Sequence, residues 1–156
     1  PVVDAALACA ERTGGPAAAL ELPDGRIITG KTSKLLGASA ALLLNALKEL
    51  AGIDHEKHVI SPDAIEPIQK LKVNYLGSKN PRLHTDEVLI ALSVSAAMDK
   101  YAQLALEQLP KLKGCQAHTS VMVSSVDMKQ FKKLSIQATF EAKYEKKAVF
   151  FRKKVV

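Results

Sequence analysis

The sequence of 156 residues has no tryptophan, only three tyrosines and four phenylalanines. It therefore lacks the aromatic platforms on which single-stranded nucleic-acid binders stack bases. No apolar run approaches the roughly 18 residues of a membrane-spanning helix. The first residues do not show the basic, apolar and small-residue order of a secretory signal. We therefore expect a cytoplasmic protein without a membrane segment.

Cysteine is also scarce, since only Cys9 and Cys115 are present. Two distant thiols in a cytosolic chain are expected to be reduced. The four histidines form no three-ligand cluster with them, so we expect no metal and no cofactor. His55 and His58 flank a glutamate, but their i, i+3 spacing is one residue short of the zinc-protease signature, and we predict an exposed turn.

The net charge of +6 is concentrated at one end of the chain. Residues 1–128 carry thirteen basic and fourteen acidic side chains, whereas residues 129–156 carry nine and two. A nucleic-acid reader needs a basic face with matching recognition elements. A solvated edge strand and tail explain this distribution more simply, because lysines on an edge strand discourage aggregation. Nucleic acid is therefore not an expected partner.

Helical and strand patterns alternate along the chain. Hydrophobic spacing, caps and breakers predict helices over 2–12, 37–51, 61–75, 88–98, 101–109 and 127–134. β-branched runs and turn signals predict strands over 17–22, 26–32, 58–61, 119–124, 136–141 and 148–151. This order predicts a single domain over 1–156, of the α/β class, with a mixed sheet in a three-layer α/β/α sandwich. The helix over 37–51 is apolar on most of its circumference, so we expect another subunit to complete its burial in a homo-oligomer.

Residues 25–32, GRIITGKT, match the phosphate-loop pattern G-x-x-x-x-G-K-[ST]. In such a loop Lys31 would reach the terminal phosphates of a nucleotide. The four intervening residues should then be small and turn-forming, but RIIT is a β-branched run that prefers a strand. Pro23-Asp24-Gly25 also gives the first glycine an ordinary place in a turn. The pattern favours a β-hairpin.

The densest polar stretch covers residues 80–87, NPRLHTDE. Thr85 is predicted to cap a helix, whose free amides would lie beside Arg82 and His84. Together with Asn80 and Lys31, these side chains form a candidate site for an anionic small molecule. The alternative is capping chemistry in a surface loop. Three upstream lysines with no intervening acid favour the anionic ligand; they are Lys70, Lys72 and Lys79.

Cys115 and His118 form a second candidate site, as a nucleophile and its base or as two metal ligands. Two ligands are too few for a metal, and no second pair lies nearby. The alternative is a thiol in a loop that leads into a strand. No residue is assigned as catalytic.

Three longer strings carry a family resemblance. They are LLGASAALLLN at 35–45, ISP with IEPIQKL at 60–71, and NPRLHTDEVLIAL at 80–92. They resemble the C-terminal part of the bacterial domain-of-unknown-function family numbered eighteen forty-six. The resemblance implies that this chain is a fragment of a longer protein, in which a glycine-rich, nucleotide-binding-like region precedes it. Some members are labelled ATP-dependent zinc proteases, which no residue here supports.

The tail departs from this family pattern at two places. Leu134-Ser135 stands where Leu-Gly is expected, and Glu141-Ala142 stands where Glu-Pro is expected. The geometry of a C-terminal turn or strand is therefore expected to differ in this chain.

The order of elements is also similar to the cytidine-deaminase type of sandwich. Such enzymes hold zinc at the starts of the second and third helices. Here those places read Gly37-Ala38-Ser39 and Ser61-Pro62-Asp63, so the resemblance implies the fold without the zinc chemistry.

Two functional hypotheses follow. In the first, the chain is a structural, oligomerisation or cleft-closing domain that packs against the N-terminal region of the same protein. In the second, it is an enzyme domain that acts on a phosphorylated or anionic small molecule.

Overall fold

The computed structural model describes residues 1–142. Its centre is a four-stranded mixed sheet in the order β2-β1-β3-β4. The strands are β1 (Ala17–Glu21), β2 (Ile27–Lys31), β3 (Gln116–Thr119) and β4 (Gln137–Phe140). β1 runs antiparallel to β2 and β3, whereas β3 and β4 are parallel. This confirms the predicted α/β class with a mixed sheet.

Residues 1–142 form six α-helices. They are α1 (Val2–Thr13), α2 (Ala38–Leu50), α3 (Pro62–Lys70), α4 (Thr85–Ala96), α5 (Lys100–Leu106) and α6 (Ser125–Lys133). Of these, α1, α2 and α6 contact strands of the sheet. A π-helical turn over Leu71–Tyr75 continues α3, and a 3₁₀ turn over Leu109–Leu112 follows α5. None of the described helices is long and apolar enough to cross a bilayer.

Alternation along β1 separates two apolar layers. Ala19 packs against Val2 and Ala6 of α1 on one face. Ala18 and Leu20 point to the other face and join the larger core with α2, α4 and α5. Because successive side chains of a strand point to opposite faces, β1 can be buried on both sides. The helices therefore form the outer layers of a three-layer arrangement.

The hairpin predicted from the phosphate-loop pattern is confirmed. Gly25 has φ 92° in the turn, a conformation that favours glycine, and β2 follows directly. Gly30 lies against the backbone of α2, where a Cβ atom would be 2.3 Å from the amide nitrogen of Leu42. Both glycines of the pattern thus have structural roles, and no loop cradle forms around Lys31.

The apolar helix α2 is covered within the chain. It packs on β1 and β2 and contacts α4 and α5. Its leucines Leu42, Leu43 and Leu47 are fully buried. Its apolar circumference therefore gives no reason to expect self-association through this helix.

Three predicted elements differ from the structure. Residues 58–61 do not form a strand; Val59 and Ile60 are buried as a bend that leads into α3. The strand predicted over 119–124 lies earlier, at Gln116–Thr119, because the chain leaves the sheet where the Ser120 hydroxyl accepts a hydrogen bond from the Ala17 amide. The helix predicted to be capped by Thr85 has His84 at that position instead. The strand predicted over 148–151 lies outside the described residues.

Candidate functional site

Two segments that precede helices run side by side and create a cleft. The amide of Leu83 donates to the Leu35 carbonyl at 2.9 Å, and the amide of Gly37 donates to the Leu83 carbonyl at 3.2 Å. Leu83 itself is fully buried in the core. Because neighbours in an extended chain point the opposite way, Arg82 and His84 both face the cleft.

The cleft has a volume of about 100 Å³ and opens to solvent. The N-terminal ends of α2, α4 and α6 border it, at Gly37, His84 and Ser124. Its other wall is an apolar loop after β3 that contains Val121, Met122 and Val123. The cleft thus combines helix N-termini and basic side chains on one side with apolar surface on the other.

Arg82 is fixed by contacts on both its backbone and its side chain. Its amide donates to Asn80 Oδ1 at 3.0 Å, which makes Asn80 a turn-forming residue at the edge of the cleft. Its Nε donates to the carbonyl of Ser33. Among residues 1–142, no carboxylate forms an ion pair with Arg82. The guanidinium is therefore oriented and its charge is not neutralised there.

Lys72 is a buried cation that contacts the backbone of the segment containing Arg82. It lies in the π-helical turn and is only 8% exposed. Its ammonium group donates to the carbonyl of Arg82 and to Glu87 Oε1, the latter at 2.8 Å. The sequence suggested that Lys72 contributes to the attraction of an anionic ligand. In the structure Lys72 instead donates to two groups within the chain, the Arg82 carbonyl and the Glu87 carboxylate, and only the fold brings these groups together.

The N-terminus of α4 is occupied by carboxylates of the protein. Glu87 Oε1 accepts a hydrogen bond from the His84 amide at 2.8 Å. Asp127 Oδ1 accepts from both the amide and the hydroxyl of Thr85, at 3.0 and 2.6 Å. These carboxylates accept hydrogen bonds from amides at the positive end of α4, so they occupy the place that a bound anion would otherwise take there.

His84 and Asp127 form a pair at the edge of the cleft. His84 Nδ1 lies 3.8 Å from Asp127 Oδ2. Pairing with this carboxylate raises the pKa of His84 above its ordinary value, although partial burial opposes the charged form. Burial alone would raise the pKa of Asp127, but its interactions with His84 and Thr85 lower it below the ordinary value. The pair therefore favours a protonated imidazole beside an ionised carboxylate.

The N-terminus of α2 is different because it is open to the cleft. Gly37 provides no side-chain cap, and the first turn contains no acidic residue. The first amides of a helix have no partner within it. Ser39 is only 7% exposed as a residue and lines the cleft.

The structure brings together three of the four predicted anion-site residues. Asn80, Arg82 and His84 line one cleft. Lys31 is exposed at the end of the edge strand β2 and does not line it, whereas its neighbour Thr32 does. Ser39 and Asp127 also line the cleft, although the sequence did not predict them as site residues. The short apolar helix start GAS, which lacks a cap, was the available signal for Ser39, whereas only the fold could bring Asp127 beside His84.

Cys115 and His118 do not form one site. Cys115 belongs to the core on the α2 side, and burial raises the pKa of its thiol. His118 is paired across the sheet with Ala19 on the α1 side, where its ring nitrogens contact Thr139 Oγ1 at 2.6 Å and Glu141 Oε2 at 2.8 Å. A separation of three residues along an extended chain places side chains on opposite faces.

Within residues 1–142, no three or more His, Cys, Asp or Glu side chains lie close enough to hold a metal ion. His55 lies in an exposed turn after α2 and His58 is also exposed, which confirms the interpretation of that segment.

A family model and several bacterial relatives match this chain, and all of them point to one family. Residues 1–150 match the model described as "Domain of unknown function DUF1846, C-terminal". The chain is 61% identical over 149 residues to a UPF0371 protein of Corynebacterium urealyticum and 58% identical over 149 residues to one of Corynebacterium glutamicum; each match covers 96% of this chain. It is 50% identical over 144 residues to a UPF0371 protein of Streptococcus thermophilus, a match that covers 92% of this chain.

The chain spans about 30% of the length of these relatives. The matching model covers nearly all of the chain and confirms the resemblance seen in the sequence. The chain therefore belongs to the DUF1846 family, whose function is unknown, and corresponds to its C-terminal part.

Proposed function

We propose that the chain is the cleft-forming part of a larger cytosolic protein and that its cleft binds a phosphorylated small molecule. The observation that carries this proposal is the open N-terminus of α2 facing Arg82 and His84. The length of the relatives supports a role within a larger protein. The two cysteines are free thiols, as a cytosolic location requires.

The donors in the cleft suit a phosphate group. Unpaired helix amides and the helix dipole attract an anion, and a guanidinium can donate two parallel hydrogen bonds to phosphate oxygens. Ser39 adds a hydroxyl-bearing side chain to the lining of the cleft. The charge of Asp127 does not oppose this binding strongly, because His84 and Thr85 engage its two oxygens. The apolar loop around Met122 would contact the rest of the ligand.

The test is a thermal-shift screen followed by calorimetry, with inorganic phosphate, sugar phosphates and nucleotides as probes. A ligand at 100 times its dissociation constant should stabilise the chain by about 2.7 kcal/mol. Arg82→Gln should weaken binding by about tenfold or more, and Ser39→Ala by less, because a hydrogen bond to a charged donor is the stronger one.

Lys79→Gln is the matched control. Lys79 is exposed and does not line the cleft, so this variant removes the same charge from the same loop. If no probe binds, or if Lys79→Gln weakens binding as much as Arg82→Gln, the proposed site is wrong.

An enzymatic role is a second candidate, because the His84–Asp127 pair lies in the same cleft. In the hydrolysis of a phosphate ester, water would attack the phosphorus, and the protonated imidazole would donate its proton to the leaving oxygen as the P–O bond breaks. Turnover of a bound phosphate ester that is lost in His84→Gln, while affinity is kept, would support catalysis. Binding without turnover would leave the chain a ligand-binding domain.

A further inference from the structure

The helix α4 is apolar on two opposite sides. Val88, Ala91 and Leu92 face the core and are buried. On the outer side, Ile90 is 62% exposed and Val94 is 69% exposed. Unlike α2, which is covered within the chain, α4 leaves Ile90 and Val94 largely exposed to solvent among residues 1–142.

The exposed residues form one stripe. Ile90, Val94 and Met98 follow one another at intervals of four residues, which places them along one side of the helix and its C-terminal extension. Met98 is 96% exposed. We call these three residues the α4 stripe. Single exposed apolar residues are normal, but a contiguous group on one element is typical of an interaction surface.

We propose that the rest of the longer family protein, N-terminal to this chain, packs on the α4 stripe. The relatives are about three times as long as the matched segment, so a large partner region is covalently available. Three side chains cannot by themselves fill the roughly 800 Å² per partner of a stable complex between separate proteins. A tethered region needs less contact area, because its effective concentration is in the millimolar range.

The α4 stripe and the cleft lie on the same helix. α4 begins at His84, which lines the cleft, and the stripe starts less than two turns further along the same helix. A region that packs on the stripe would stand beside the mouth of the cleft. The contact does not depend on any ligand in the cleft, so it stands independently of the proposed function.

Hydrogen exchange tests the proposal in the full-length protein and in the isolated chain. We expect the outer residues of α4 to exchange at least tenfold more slowly in the full-length protein. Val94→Glu should abolish that difference and increase protease sensitivity between the two regions. Ile27→Glu is the matched control: Ile27 is also an exposed β-branched apolar residue, but it lies on the edge strand β2.

Three outcomes would overturn the proposal. Exchange of α4 could be equal in both proteins. Alternatively, Val94→Glu could have no greater effect than Ile27→Glu in the full-length protein. The isolated chain could also form a dimer that Val94→Glu dissociates, which would make a second copy the occupant. The Val94→Glu comparison within the full-length protein requires no folding of the isolated chain.

Discussion

Replacing Gly30 with alanine should destabilise the protein strongly, although the change adds only one methyl group. Gly30 lies in β2, where the strand crosses α2 at close range. An added Cβ would lie 2.3 Å from the Leu42 nitrogen, 2.6 Å from Leu42 Cα and 2.9 Å from the Ala38 carbonyl oxygen. All three are backbone atoms, so no side chain can rotate away to make room.

The size of the effect follows from the distances. Ordinary contacts of a Cβ atom lie between 3.4 and 4 Å, so β2 and α2 must separate by about 1 Å. α2 cannot move freely, because Leu43 and Leu47 are fully buried in the core. Overpacking of this kind costs about 1–3 kcal/mol, and the backbone contacts place Gly30→Ala at the upper end. The expected fall in melting temperature is about 6–12 °C for about 3 kcal/mol.

Urea denaturation of the wild type and two variants provides the assay. Gly15→Ala is the control, since a Cβ at Gly15 meets no atom within 4 Å and its φ is not positive. That variant should be neutral or stabilising by up to about 1 kcal/mol, because alanine restricts the unfolded chain. Equal stability of the two variants would refute the argument that Gly30 is required for the close approach of β2 and α2.

Three further predictions concern a turn and the loop of the cleft. Ser135 has φ 58° at the end of α6, a left-handed conformation that glycine adopts more easily than serine. Ser135→Gly should therefore raise the free energy of unfolding by about 0.5–1 kcal/mol in urea titrations, and no gain would mean that the serine is unstrained. Lys72→Met should destabilise the protein by about 3 kcal/mol, because it leaves the Glu87 carboxylate and the Arg82 carbonyl without their buried cation. Thermal unfolding should show this loss of stability, and a loss below about 1 kcal/mol would contradict the prediction. Because the pKa of His84 is raised, His84 stabilises the folded protein fully below its unfolded pKa near 6.5, and this stabilisation is lost as pH rises through its folded pKa. Because the pKa of Asp127 is lowered, Asp127 stabilises the folded protein fully above its unfolded pKa of about 4, and this stabilisation is lost as pH falls through its folded pKa. Stability measured against pH should therefore show the largest difference between wild type and Asp127→Asn between about pH 4 and 6.5, and a flat difference would refute the pairing.

Local signals in the sequence were sufficient for most helices. Ser61-Pro62 places the start of α3, where the Ser61 hydroxyl accepts from the Asp63 amide at 3.0 Å. The Pro-Asp-Gly turn and the β-branched run after it give the hairpin of β1 and β2. These elements depend on residues close in sequence, so the pattern alone is enough to predict them.

Elements that depend on distant contacts were predicted less well. Val59 and Ile60 have the composition of a strand, but no strand within residues 1–142 pairs with them, and they are buried as a bend. β3 was placed too late in the chain because its limits are set by pairing with β1, about 100 residues earlier. Strand propensity reflects the packing environment more than the residue itself.

The candidate site shows the same division. The sequence by itself determined the alternation of Arg82, Leu83 and His84, which sends one side chain into the core and two toward the cleft. Only the tertiary structure decided what faces them: the open start of α2, the carboxylate of Asp127 and the buried ammonium of Lys72. The physical reason is that a hydrophobic pattern specifies which face of each segment is buried, whereas the contacts between segments are fixed only when those faces pack together.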